Sequence, residues 1–191
     1  MVPVDIKKYY SDVEIISQGT WCAVQRPAML KTDSPAFARY AEMFYRAQRE
    51  VLGESSFYAT DPFHEGGITA DMSPRTISRI VLSEMLNANE SAVWIIRSWQ
   101  SNPSFELLAG LADVKNGKEH ALILDLYAEK QPNYCDGKPE PPKHGYSPEF
   151  DGTPWVYCML NNFGGRLGLH GHLDNMVKGI PKVLNECKNF A

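Results

Sequence analysis

A chain of 191 residues with 43% hydrophobic and 22% charged side chains has the make-up of an ordinary globular domain and is long enough for one sizeable core. Its net charge of -4 gives no support for nucleic-acid binding, which leaves a basic footprint. No apolar run approaches the roughly 20 residues that span a bilayer, and the start, Met-Val-Pro-Val-Asp-Ile-Lys-Lys, has no apolar signal-peptide core.

Four cysteines, Cys22, Cys135, Cys158 and Cys187, stand far apart and form no C-x-x-C pair. Structural zinc takes ligands in close pairs, so free and mostly buried thiols are the default, with one or two disulfides if the compartment is oxidising.

In chain order, Val13 to Trp21 (VEIISQGTW) reads as a first strand. Ser34-Pro35 then supplies a helix N-cap and a residue suited to the first helical position. Phe37, Tyr40, Ala41, Phe44, Ala47 and Val51 follow at helical spacing, up to a stop at Gly53. Ser56 to Phe63 is the second strand. Ser73-Pro74 repeats the helix start ahead of Ile77, Ile80, Val81 and Met85. Ala92 to Trp99 (AVWIIRSW) is a third strand, and its unbroken apolar run favours a sheet covered on both faces. A helical segment from Ser104 to Ala112 leads into the fourth strand, Ala121 to Ala128. Residues 130–154 are rich in proline, and so long a loop is expected to border a site. Trp155 to Phe163 is the fifth strand, and Leu173 to Cys187 is a last helix that Gly179-Ile180-Pro181 should break or kink.

Strands alternating with helices imply a parallel α/β sheet. No G-x-G-x-x-G or P-loop follows the first strand, so a nucleotide site lacks support. The notable residues fall instead at successive strand C-termini: Trp21, His64 with Glu65, Trp99, Glu129, and Asn161 with Asn162. That end of the strands carries the active site in a (β/α)8 barrel, and about five of its eight strand units give a partial TIM-type barrel.

The stretch Tyr58-Ala-Thr-Asp-Pro-Phe-His-Glu-Gly-Gly67 is the most pointed of these ends. Proline stops the strand, and the glycines allow a tight turn or close approach of a ligand, so His64 and Glu65 are displayed on a strand exit. Glu65 suits a catalytic acid; a solvated carboxylate on a turn is the plain alternative. Glycoside hydrolysis needs two carboxyl groups flanking the scissile bond. Tryptophans at neighbouring strand ends suit the apolar face of a sugar or a plain core, and the paired asparagines suit hydroxyl or amide groups. Asp61, Asp125 and Glu129 are weak candidates for the second carboxyl: Asp125 lies within an apolar strand, and Glu129 suits a supporting role. His170-Gly171-His172 fixes no third metal ligand with His64 or His120, so no metal is expected. Cys158 reads as a buried inert thiol.

The blocks FYATDPFHEGG, AVWIIRSWQ, LILDLYAEKQP and WVYCMLNNFGGRLGLHG, in that order, resemble the catalytic domain of the α-N-acetylglucosaminidases of glycoside hydrolase family 89. The resemblance runs from about Val13 to the C-terminus. It implies a retaining exo-hydrolase that removes terminal α-linked N-acetylglucosamine in a (β/α)8-barrel site without a metal or other cofactor. By that resemblance Glu65 is the general acid/base, and Trp21, Trp99, Leu126, Cys158 and Leu160 fall on pocket positions, which moves Cys158 from the core to the pocket wall. His64 stands where some members carry asparagine, and Asn162 joins the substrate-binding set.

The family's nucleophile is a glutamate in a Pro-Glu-Gly-like motif shortly after the helix that ends this chain. The resemblance therefore implies that residues 1–191 form one partial catalytic barrel domain. The N-terminal domain, the remaining strands, the nucleophile and a helical C-terminal domain are expected elsewhere, and this chain alone is expected to be inactive. Family habit places the parent enzyme in an extracellular, periplasmic or lysosomal compartment. A non-catalytic carbohydrate-binding module and a degenerate truncated product are the competing readings.

Overall fold

The computed structural model describes residues 2, 5–63, 67, 69–100, 102–130, 132–133, 148–161, 165 and 171–191. Its centre is a parallel sheet in the order β5 (Phe57–Ala59), β6 (Val93–Ser98), β7 (Ala121–Asp125) and β8 (Trp155–Tyr157). Sequential neighbours pair throughout, Tyr58 with Trp94, Ile96 with Ile123, and Asp125 with Tyr157. Helix α1 (Pro35–Leu52) precedes β5, α2 (Pro74–Ala88) lies between β5 and β6, α3 (Phe105–Ala112) between β6 and β7, and α4 (Leu173–Glu186) follows β8.

Three helix starts follow from one device. The side chains of Ser34, Ser73 and Ser104 accept from Ala36 N, Thr76 N and Leu107 N, each satisfying a backbone donor that the first helical turn leaves open. Proline follows two of these serines, where its missing N–H costs nothing.

The sheet faces differ. Trp94, Ile96, Ala121, Ile123 and Trp155 alternate with half-buried neighbours and join Ile77, Val81, Leu82 and Met85 of α2 and Leu107, Leu108 and Leu111 of α3 in the main core. Each buried Ile, Val, Leu or Met side chain among them contributes about 1.5–3 kcal/mol by leaving water. The opposite face, with Val93, Ile95, Leu122, Leu124 and Val156, is only half-buried. The expectation of a sheet covered on both faces therefore fails among the described residues. Helices α2 and α3 touch closely: a Cβ on Gly110 would stand 2.0 Å from Ser78 Oγ and 2.3 Å from Arg75 O.

Val13 to Trp21 is not one strand and does not enter the parallel sheet. It divides into β1 (Ile15–Ile16), antiparallel to β4 (Met29–Leu30), and β2 (Thr20–Trp21), antiparallel to β3 (Val24–Gln25). Val13, Leu30, Ala36 and Tyr40 form a second small core beneath this unit. Four strands, not five, are thus parallel among the described residues.

The last helix also departs from expectation, running unbroken through Gly179 and Pro181. Val177 and Pro181 are both exposed, so water can meet the carbonyl that proline leaves without a donor. No helix among the described residues is long and apolar enough to cross a membrane.

Candidate active site

The C-terminal ends of β5 to β8 gather the chemistry-bearing residues. At β5, the Trp94 indole donates to Thr60 O at 2.9 Å and fixes the strand exit. Asp61 follows, its side chain only 7% exposed and 3.3 Å from the half-exposed Arg97 guanidinium. The parallel register pairs Ala59 with Ile95, so the next positions on that face are Asp61 and Arg97. Gly67 returns against Pro62: a Cβ there would lie 2.4 Å from Pro62 O, which explains the glycine. His64 and Glu65, between these two points in sequence, lie outside the described residues, as do Gln131, residues 134–147, Asn162 and His170.

At β6, Trp99 is half-buried and held by a tight turn. Its N–H donates to Asn102 O at 2.8 Å, and Asn102 N donates back at 3.0 Å. The Asn102 amide also donates to Arg97 O at 2.8 Å. The Trp99 ring faces Tyr127 at 6.2 Å, inclined by 41°.

At β7, Asp125 is fully buried and accepts from Asn133 N at 2.9 Å, while the Asn133 amide donates to Ser98 Oγ at 2.7 Å. Asp125 O accepts from Cys158 N at 3.1 Å. The Asp125 carboxylate thus holds the loop at Asn133 while its main-chain oxygen holds the end of β8, which is the work of a structural acceptor. Leu126 is half-buried in the turn after it, and Glu129 is 2% exposed at the turn's end.

At β8, Cys158 lies one residue past the strand and is half-buried. Burial first, then the Asp125 and Glu129 carboxylates, push its thiol up to about 11. It is therefore neutral at ordinary pH and unsuited to nucleophilic attack. Leu160, also half-buried, donates its N–H to Glu129 Oε1 at 3.3 Å. Asn161 is exposed. The structure thus brings Trp99, Leu126, Cys158 and Leu160 to one end of the sheet. Trp21, half-exposed on the β2–β3 hairpin, belongs to a separate ladder.

The expectation of mostly buried thiols needs correcting among the described residues, since Cys22 is exposed and Cys158 and Cys187 are only half-buried. Among the described residues no three His, Cys, Asp or Glu side chains stand together as metal ligands would. An apolar cavity of about 540 Å³, lined by Phe37, Tyr40, Phe44, Tyr45, Phe57 and Tyr58 among others, lies between α1 and the edge strand β5 and includes none of the four pocket-wall residues.

A family model described as the α-N-acetylglucosaminidase (NAGLU) TIM-barrel domain matches residues 1–190. The chain belongs to this family. Human α-N-acetylglucosaminidase is 29% identical over 95% of the chain, which spans 24% of that relative's length. A family 89 glycoside hydrolase from Clostridium perfringens, solved with 2-acetamido-1,2-dideoxynojirmycin, matches with a TM-score of 0.81 at 37% identity, over 99% of this chain and 20% of its own. A variant of the Clostridium perfringens protein with two glutamates replaced by glutamine, solved with its substrate GlcNAc-α-1,4-galactose, matches at 36% identity and the same TM-score, over 99% of this chain and 20% of its own. The α/β partial-barrel fold and the resemblance read from the four sequence blocks agree with these matches. The chain spans about a quarter or less of the relatives it matches.

Sequence reasoning missed Arg97, Ser98 and Asn133. Arg97 had a signal: it is the one charge in AVWIIRSW, two strand positions before the tryptophan that was singled out. Asn133 had none, because its partners are 8 and 35 residues away.

Proposed function

We propose that residues 1–191 carry the acid/base half of a retaining α-N-acetylglucosaminidase site. In this reading Glu65 protonates the glycosidic oxygen of a terminal α-linked N-acetylglucosamine as a second glutamate, supplied from outside these residues, attacks the anomeric carbon. The leaving group departs as an alcohol. Glu65, now a carboxylate, takes a proton from the water that attacks the glycosyl-enzyme and releases the sugar with its configuration retained.

The observation that carries the reading is the gathering of Trp99, Leu126, Cys158 and Leu160 at the C-terminal strand ends of the sheet in which Asp61, four residues before Glu65 in sequence, follows β5. The relative solved with GlcNAc-α-1,4-galactose, with two glutamates replaced, supports both the sugar and the paired carboxylates. Trp99 and Leu126 would line the apolar face of the ring, with Cys158 and Leu160 forming the wall. His64 and Asn162 would meet the sugar's polar groups, and Trp21 would reach it from the hairpin. The substrate is then a glycan with a terminal α-GlcNAc, met in an extracellular, periplasmic or lysosomal compartment, and further domains of the parent chain complete the pocket.

The test uses the full-length gene product carrying these residues and an aryl α-N-acetylglucosaminide with a poor leaving group. Hydrolysis that falls about 10²-fold or more in Glu65→Gln supports the reading. Hydrolysis unchanged by that substitution, or saccharide binding without any turnover, contradicts it and favours a binding module.

A further inference from the structure

Glu129 is buried at 2% exposure, yet its carboxylate is only half used. Oε1 accepts from Leu160 N at 3.3 Å, past the end of β8. Oε2 is buried and meets no hydrogen-bond donor among the described residues. The main-chain oxygen of Glu129 accepts from the Asn175 amide of α4 at 2.6 Å, and Asn175 O lies 3.5 Å from the Tyr157 hydroxyl of β8. One residue thus fastens the turn after β7 to the turn after β8 and to the first turn of α4. An unpartnered buried acceptor costs about 1–3 kcal/mol. Such a group is a poor choice for stability alone and is found where geometry matters more.

We propose that Glu129 is a positioning residue of the pocket wall, whose carboxylate holds Leu160 and, through that turn, Cys158 at a fixed distance from Leu126. It acts through the wall and does not touch the sugar. The inference rests on the proposed glycosidase function, since it assigns a role within that pocket. Its closeness to the wall also shows in the Cys158 thiol, which Glu129 helps to push up.

Two substitutions in the full-length gene product separate the tether from bulk and charge. Glu129→Gln keeps an acceptor for Leu160 N; Glu129→Met has similar volume and none. Glu129→Met is expected to lose about 10-fold or more in kcat/KM, chiefly through a raised KM, while its Leu160 amide exchanges with solvent faster. Glu129→Gln is expected to stay within about threefold of wild type on both readouts. A folded Glu129→Met with wild-type KM overturns the inference, as does a Glu129→Gln as damaged as Glu129→Met. If Glu129→Met does not fold, Glu129→Gln and Glu129→Ser at equal Tm decide: Ser, too short to reach Leu160, must show the raised KM. Wild type that hydrolyses no α-N-acetylglucosaminide overturns the function and this inference together; wild-type turnover with an indifferent Glu129 overturns the inference alone.

Discussion

Asp61, four residues before Glu65 in sequence, and Arg97 form a 3.3 Å ion pair at the ends of adjacent parallel strands, with Asp61 almost enclosed and Arg97 half in water. The pair ties the exit of β5 to the end of β6. Removing the cation leaves a carboxylate in a nearly closed place, but solvent can reach the vacated side. The cost is therefore placed at about 1–2 kcal/mol, below that of a fully buried pair. Urea denaturation of Arg97→Leu should show that loss, and Arg97→Lys should recover part of it. Equal stability of Arg97→Leu and wild type would show the pair to be idle.

Two glycines make opposite predictions about rescue. A Cβ at Gly179 meets Tyr157 Oη at 2.4 Å, whereas a Cβ at Gly110 meets both Ser78 Oγ and the Arg75 backbone oxygen. Each Gly→Ala change should cost about 1–3 kcal/mol by overpacking. Tyr157→Phe should recover part of the Gly179→Ala loss, because it removes the nearest atom. Ser78→Ala should not rescue Gly110→Ala, because the backbone oxygen at 2.3 Å stays. Double-mutant cycles on thermal unfolding check both, and rescue of the second would place the α2–α3 contact elsewhere.

The thiols should differ in reactivity. Cys22 is exposed, while the Cys158 thiol is half-buried and held neutral up to about 11. Peptide mapping after iodoacetamide at pH 8 should find Cys22 modified well before Cys158. The same shift has a sign for stability. The folded thiol keeps its proton above 9.0, the ordinary value, so this contribution is intact below 9.0 and is lost as pH rises through about 11. Cys158→Ala should flatten the alkaline fall of Tm over that window; an unchanged slope would assign the fall to other groups.

Strand β5 leaves one edge unpaired among the described residues, and Phe57 on it is 62% exposed. Such an edge is a template for pairing with another chain. The 191-residue chain alone should sediment as larger species and release no aglycone from aryl α-N-acetylglucosaminides. A charge on the edge, as in Phe57→Lys, should reduce the association. A monomeric and active wild-type chain would contradict the partial-site account.

The sequence revealed most where one residue type forces one geometry. Serine before proline marked the starts of α1 and α2, and each hydroxyl does accept the orphan N–H; Ser104 caps α3 in the same way. Strand centres were legible for the same reason, but their ends were not, because apolar residues continue past the last ladder bond, as at Cys158 to Leu160. The β2–β3 hairpin was hidden because Cys22 and Ala23 take positive φ at its tip, 49° and 63°, where glycine or asparagine is the usual signal. The break expected at Pro181 does not occur, and both Val177 and Pro181 are exposed, so water can meet the carbonyl that proline leaves without a donor. Trp99, Leu126, Cys158 and Leu160, expected from the four blocks to fall on pocket positions, lie together at the C-terminal end of the sheet. The Ser98–Asn133–Asp125 bracket and the Glu129 tether were not legible in the sequence, since both depend on residues that only the folded sheet brings together.

The role of Glu65 is tested most directly by azide rescue of Glu65→Ala in the full-length gene product, with 2,4-dinitrophenyl α-N-acetylglucosaminide as substrate. A leaving group that needs no proton lets the glycosyl-enzyme form, and azide then replaces the water that Glu65 would have activated. The account predicts azide-accelerated turnover and an N-acetylglucosaminyl azide of retained α configuration by NMR. A β-configured azide would make Glu65 the nucleophile, and full activity of Glu65→Ala without azide would remove it from the chemistry.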